Sequence, residues 1–206
     1  MIGEGGFGSV FKGWIDEHTL APTGFIALDV AKGLAFLQND EVNVIHGDLK
    51  TSKIMIDSIN RSEDDDDNDD DIELDRLYKG FVVYAAPEYI MTGGRELTKK
   101  SDVYSFGVVL LEIMLGKRAL DKSRSLGEQN LVDWANFSLI SKCNISQAMD
   151  DYIEGEYSSP EAMKIAHIVI QCLSTRPKYR PNIHEVVRSL ETLQNSNDTN
   201  SGVGSS

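Results

Sequence analysis

Apolar residues fall along this chain in blocks, and the stretch Ser101–Gly116 is apolar on every side of the helix it would form. A helix of that kind has no solvent face and has to be buried all round. Ser101 reads as an N-cap, Asp102 as an acid in the first turn, and Gly116 with Lys117 and Arg118 as a stop. Glu112 interrupts the run, and Lys100 and Lys117 close it below the roughly 18–20 apolar residues a membrane span needs. The pattern therefore predicts a core helix over 101–116 with the other elements packed around it.

Phe25 to Gln38 carries Ile26, Val30, Leu34 and Leu37 at amphipathic helical spacing, and Val42–Ile45 is a short strand candidate. Asn130 to Ser141, with Leu131, Val132, Trp134, Ala135 and Leu139, reads as a helix. Ser159-Pro160-Glu161 starts another, through Ile165, Val169 and Leu173, that is apolar enough to be mostly buried. Asn182 and Glu185 have capping-box spacing and open a last helix with Val186, Val187, Leu190 and Leu193. From Asn195 onward Ser, Asn and Gly dominate, which predicts a disordered tail over 195–206. There is no internal repeat.

The formal charge of −13 is local: Glu63 to Asp75 holds ten carboxylates and no base, so the rest of the chain stands at −3. Neighbouring charges about 3.8 Å apart lie well inside a Debye length of roughly 10 Å, which predicts an extended, disordered insert over 60–76. The near-neutral remainder argues against a nucleic-acid or anionic-membrane partner. Cys143 and Cys172 lie in apolar surroundings without metal-ligand spacing, so reduced thiols are expected and no metal site. Neither a secretory signal nor an N-myristoylation glycine is encoded at Met1-Ile2-Gly3.

Chemistry enters at the start of the chain. Gly3, Gly5, Gly8 and Val10 form a Gly-x-Gly-x-x-Gly-x-Val run whose backbone N–H groups can approach phosphate. The fingerprint alone is shared by dinucleotide folds and kinases. Phe11 to Ile15 can form a strand after the glycines where a dinucleotide fold needs a helix, which favours the kinase type.

Further motifs point the same way: His46-Gly-Asp48-Leu-Lys50, Tyr84-Ala-Ala-Pro87-Glu88, Ser101-Asp-Val-Tyr-Ser-Phe-Gly107, Asn130-Leu-Val-Asp-Trp134 and Arg180-Pro181. Together they resemble the eukaryotic protein kinases, and closely the plant receptor-like cytoplasmic serine/threonine kinases. The resemblance implies an α+β protein kinase-like fold, with ATP and magnesium as cofactors and a protein as substrate or partner. It implies that Asp48 accepts the substrate hydroxyl's proton and Lys50 contacts the transferred phosphate. It also implies that Gly3, Gly5, Gly8 and Val10 cover the nucleotide. Asp102 would hold the catalytic loop's backbone and Glu88 would pair with Arg180, both structural roles. A cytoplasmic location follows, with plasma-membrane association possible by family.

The sequence also departs from that family. About ten residues separate Trp14 from Phe25, where a kinase has its lysine-bearing strand, the helix that pairs with it, further strands and the hinge. The arginine of the catalytic loop is Gly47, the magnesium-binding asparagine is Lys53, and no Asp-Phe-Gly exists. Gly80-Phe81 lacks the family's threonine. Phosphoryl transfer is mostly positioning and charge neutralisation, and losing one such stabiliser commonly costs roughly 10²–10³ in rate. The expectation is a remnant nucleotide lobe over 1–24, a helical lobe over 25–194, and a pseudokinase that acts by binding. An active serine/threonine kinase and an incomplete gene product are the two alternatives.

Overall fold

The computed structural model describes residues 3–5, 8–10, 23–54, 82–140 and 159–201. Two short strands, β1 (Gly3–Gly5) and β2 (Gly8–Val10), pair antiparallel with Gly3 opposite Val10 and Gly5 opposite Gly8. The acidic insert, Cys143, Gly80-Phe81 and the Phe11–Ile15 strand candidate lie outside the described residues. The helices are α1 (Thr23–Gln38), α2 (Pro87–Met91), α3 (Lys99–Leu115), α4 (Leu131–Ile140), α5 (Ser159–Cys172) and α6 (Ile183–Ser201).

Helix α3 is buried from Ser101 to Glu112 without a break, and Met114 and Leu115 continue the burial. It packs against α1, α4 and α5, while α6 lies along α1. At Gly107, α3 and α5 leave no room for a side chain: a Cβ there would sit 2.7 Å from Cys172 Cβ. Cys172 is a free, fully buried thiol, and burial pushes it up to about 12, so it stays protonated. Gly116 ends α3 in the left-handed region with φ 59, as a C-terminal glycine does.

Four sequence expectations need correction. The N-cap of α3 is Thr98, and Ser101 is the third residue of the helix, closing a capping box with it. The core-facing side of α1 is Ala27, Leu28, Ala31, Leu34 and Gln38, because close packing against two helices selects the small residues. Val42–Ile45 forms no strand: Asn43 turns the chain with φ 50, and Val44 N–H bonds back to Leu37 O at 2.7 Å. Of the tail, Asn195 to Ser201 continues α6, since extending an existing helix avoids the cost of a new nucleus, and 202–206 lie outside the described residues. The capping box at α6 forms as expected, with Glu185 N–H on Asn182 Oδ1 at 2.9 Å and Asn182 N–H on Glu185 Oε2 at 2.7 Å.

Candidate functional site

The site is built on the N-terminal turn of α3. Asp102 is 1% exposed, and a buried carboxylate needs donors for both oxygens. Its Oδ1 accepts the Gly47 N–H at 2.8 Å, and its Oδ2 accepts the His46 N–H at 2.9 Å and Gln38 Nε2 at 3.2 Å. Gln38 also donates to Lys99 O at 3.2 Å, and Lys99 Nζ donates to Gln38 O at 2.7 Å. The end of α1, the start of α3 and the loop after His46 are thus tied at one carboxylate. Gly47 has φ +77 in this loop, a left-handed conformation that a side chain would strain.

Leu49 is buried and anchors the loop in the core, leaving Asp48 and Lys50 partly exposed on either side of it. A turn of 3-10 helix at Thr51–Lys53 follows, closed by Lys53 N–H on Lys50 O at 3.0 Å. It brings Lys53 round to Asp48: Lys53 Nζ lies 2.5 Å from Asp48 Oδ2, closer than Lys50 Nζ at 3.7 Å. Thr51 Oγ1 meets Tyr84 OH at 3.1 Å, Tyr84 OH donates to Glu112 Oε2 at 2.7 Å, and Ala119 N–H donates to Glu112 Oε1 at 2.5 Å. Burial pushes the Tyr84 phenol well above its ordinary range, and the Glu112 carboxylate adds to the rise, while Thr51 opposes it.

Arg180, 2% exposed, donates Nη1 and Nη2 to the two oxygens of Glu88, both at 2.7 Å. Its remaining donors reach Ser174 O at 2.7 Å and Lys100 O at 2.9 Å, and its guanidinium lies 5.0 Å from the Tyr104 ring centre. Beside this pair a cleft of about 300 Å³ is lined by Val83, Pro87, Ile90, Met91, Tyr104 and Val132. Ile90 and Met91 are exposed at its mouth.

Asp48 and Lys50 are therefore brought together, Asp102 accepts from the His46 and Gly47 amides, and Glu88 pairs with Arg180. Gly3, Gly5, Gly8 and Val10 pair with one another, and among the described residues no hydrogen bond or ion pair joins them to Asp48 or Lys50. Sequence reasoning missed Gln38 and Glu112. A glutamine at the end of an amphipathic helix carries no signal, whereas a carboxylate inside an apolar helix calls for a partner.

Comparison with known proteins identifies this arrangement. The model of the protein tyrosine and serine/threonine kinase family matches residues 19–190, a span that starts after the glycine run. The chain is 36% identical over 289 residues to receptor-like cytoplasmic kinase 176 of Oryza sativa subsp. japonica, covering 97% of this chain and 73% of that protein. It is 35% identical over 284 residues to serine/threonine-protein kinase BIK1 of Arabidopsis thaliana, covering 94% and 71%. With the probable serine/threonine-protein kinase PBL9 of Arabidopsis thaliana the identity is 46% over 179 residues, covering 84% of this chain and 43% of that protein. The chain belongs to the protein kinase family, in its plant receptor-like cytoplasmic branch.

Protein kinases generally use ATP and magnesium. Lys53, at the position of the family's magnesium-binding asparagine, does not fit the metal. Magnesium requires oxygen ligands in near-octahedral array, and here an ammonium group lies against the carboxylate. Among the described residues no three His, Cys, Asp or Glu side chains gather into a metal-binding group. No helix among them is long and apolar enough to cross a membrane.

Proposed function

We propose that this chain is a catalytically impaired kinase-fold protein of the serine/threonine type that works in signalling by binding a protein partner. The observation that carries the reading is Lys53 Nζ at 2.5 Å from Asp48 Oδ2, a cation on the carboxylate that would otherwise take the substrate hydroxyl's proton. The sequence supports it through the short link between Trp14 and Phe25 and the missing Asp-Phe-Gly. So does the match to the rice relative, which runs over 289 residues against the 206 of this chain and therefore spans blocks that the chain lacks. In this reading residues 1–24 are the remnant of a nucleotide lobe whose Gly3, Gly5, Gly8 and Val10 have lost the sheet that would hold them over ATP. Residues 25–194 are a helical lobe assembled on α3, and the location is the cytoplasm.

Asp102, Glu88 and Arg180 then preserve a scaffold, and the cleft between α2, α3 and α4 with Ile90 and Met91 at its mouth is the surface for the partner. The competing reading, an active kinase, draws on Asp48 and Lys50 lying 3.7 Å apart in the loop. A transfer assay with labelled ATP, magnesium and a generic basic protein substrate separates the two. The expected result is no label above that of the Asp48→Asn variant, and label that depends on Asp48 would establish the active kinase instead.

A further inference from the structure

Asp48 Oδ2 faces two ammonium groups, Lys53 at 2.5 Å and Lys50 at 3.7 Å, so the trio carries a net positive charge. The Thr51–Lys53 turn, closed by Lys53 N–H on Lys50 O and Ile54 N–H on Thr51 O, carries the Lys53 backbone back toward Asp48. An ammonium has no lone pair to offer a metal, and its charge repels one. Yet it places positive charge beside the carboxylate, as a bound divalent ion would.

We propose that Lys53 is a built-in counter-ion: standing where the family has its magnesium-binding asparagine, it sets an ammonium against Asp48, closes this loop to divalent metals, and leaves Lys50 and Lys53 themselves to face a phosphate-bearing ligand. Phosphate groups at this loop are then met by fixed lysine charge and gain nothing from magnesium. The inference rests on the catalytically impaired reading and gives it a cause in one side chain.

The test uses Mn²⁺ as a paramagnetic probe, with the histidine ring signals in the proton NMR spectrum of the full chain as local reporters. His46 is the reporter at the site, because its Nδ1 accepts the Asp48 N–H at 3.3 Å. His167 on α5 and His184 on α6 are the references, and His46→Gln assigns the signal. In the wild-type chain the His46 signal should broaden no more than the references as Mn²⁺ is added. In Lys53→Asn, which removes the ammonium and supplies an amide oxygen, it should lose most of its intensity first. Manganese held by the acidic run acts on both proteins alike and cancels in the comparison.

Selective broadening of His46 in the wild type, or its absence in Lys53→Asn, would each overturn the assignment. Phosphate transfer is not read, so the two ideas fail separately. An inert chain whose His46 broadens keeps the impaired reading and loses the counter-ion. A chain that transfers phosphate while its His46 stays sharp does the reverse.

Discussion

Arg180 and Glu88 meet through two parallel 2.7 Å hydrogen bonds, 92 residues apart in sequence, with the arginine side chain fully enclosed. Removing one member of a buried pair strands the other, which typically costs about 3–5 kcal/mol. Arg180→Met should therefore destabilise the chain far more than a surface substitution, measured by urea unfolding. Burial alone would raise the Glu88 carboxyl, but the Arg180 hydrogen bonds outweigh it and hold it below its ordinary 4.5. A depressed acid stabilises the fold above its unfolded-state value and loses that contribution as pH falls through the folded value. Stability should thus decline as pH drops below about 4.5, and Glu88→Gln should flatten that part of the curve.

The Asp102 carboxylate is the only bond shown for the His46 and Gly47 amides among the described residues. Asp102→Asn keeps the size and loses the charge, and hydrogen bonds to charged groups are worth about 1.5–3 kcal/mol. Amide exchange at His46 and Gly47 should accelerate in the variant while the centre of α3 stays protected. Equal protection in both proteins would remove Asp102 from its role as loop holder.

Glu112 links the far end of α3 to the Thr51–Lys53 turn through Tyr84. Tyr84→Phe takes away the donor to Glu112 Oε2 and the partner of Thr51, and a buried acceptor left unmet costs about 1–3 kcal/mol. The expected outcome is a lower unfolding midpoint with an unchanged denaturant slope. Thr51→Val should cost less, because Tyr84 keeps its bond to Glu112.

What the sequence showed and what it hid follow a physical division. Asp102, Glu88 and Arg180 stood out in the sequence because they are charged groups at fixed places in motifs, and in the structure Asp102 accepts the Gly47 amide and Arg180 donates to Glu88. Helix existence was legible from apolar spacing, but faces and ends were not. The spacing put Ile26, Val30, Leu34 and Leu37 on one face; Leu34 is buried and Val30 packs against the core, but Ala27 and Ala31 are buried as well, since how closely α1 approaches α3 and α6 is not written in α1. Ser101 has the chemistry of a cap at either position of a capping box, so only the backbone decides that Thr98 precedes the helix. Lys53 was legible as a lost asparagine; its 2.5 Å approach to Asp48 depends on the turn that carries it.

Gly107 tests the packing of α3 on α5. Its missing side chain leaves room for Cys172, whose Cβ would stand 2.7 Å from an added methyl. Gly107→Ala gains helix propensity yet overpacks the core, which typically costs about 1–3 kcal/mol. A lower thermal midpoint is expected, and a variant as stable as the wild type would show that the two helices can separate freely.

A kinase scaffold that persists without its nucleotide chemistry should be indifferent to ATP. Thermal unfolding with and without millimolar ATP and magnesium decides this, because a ligand at 100 times its dissociation constant stabilises the folded state by about 2.7 kcal/mol. No shift in the unfolding midpoint is predicted. A saturable, magnesium-dependent rise would contradict it.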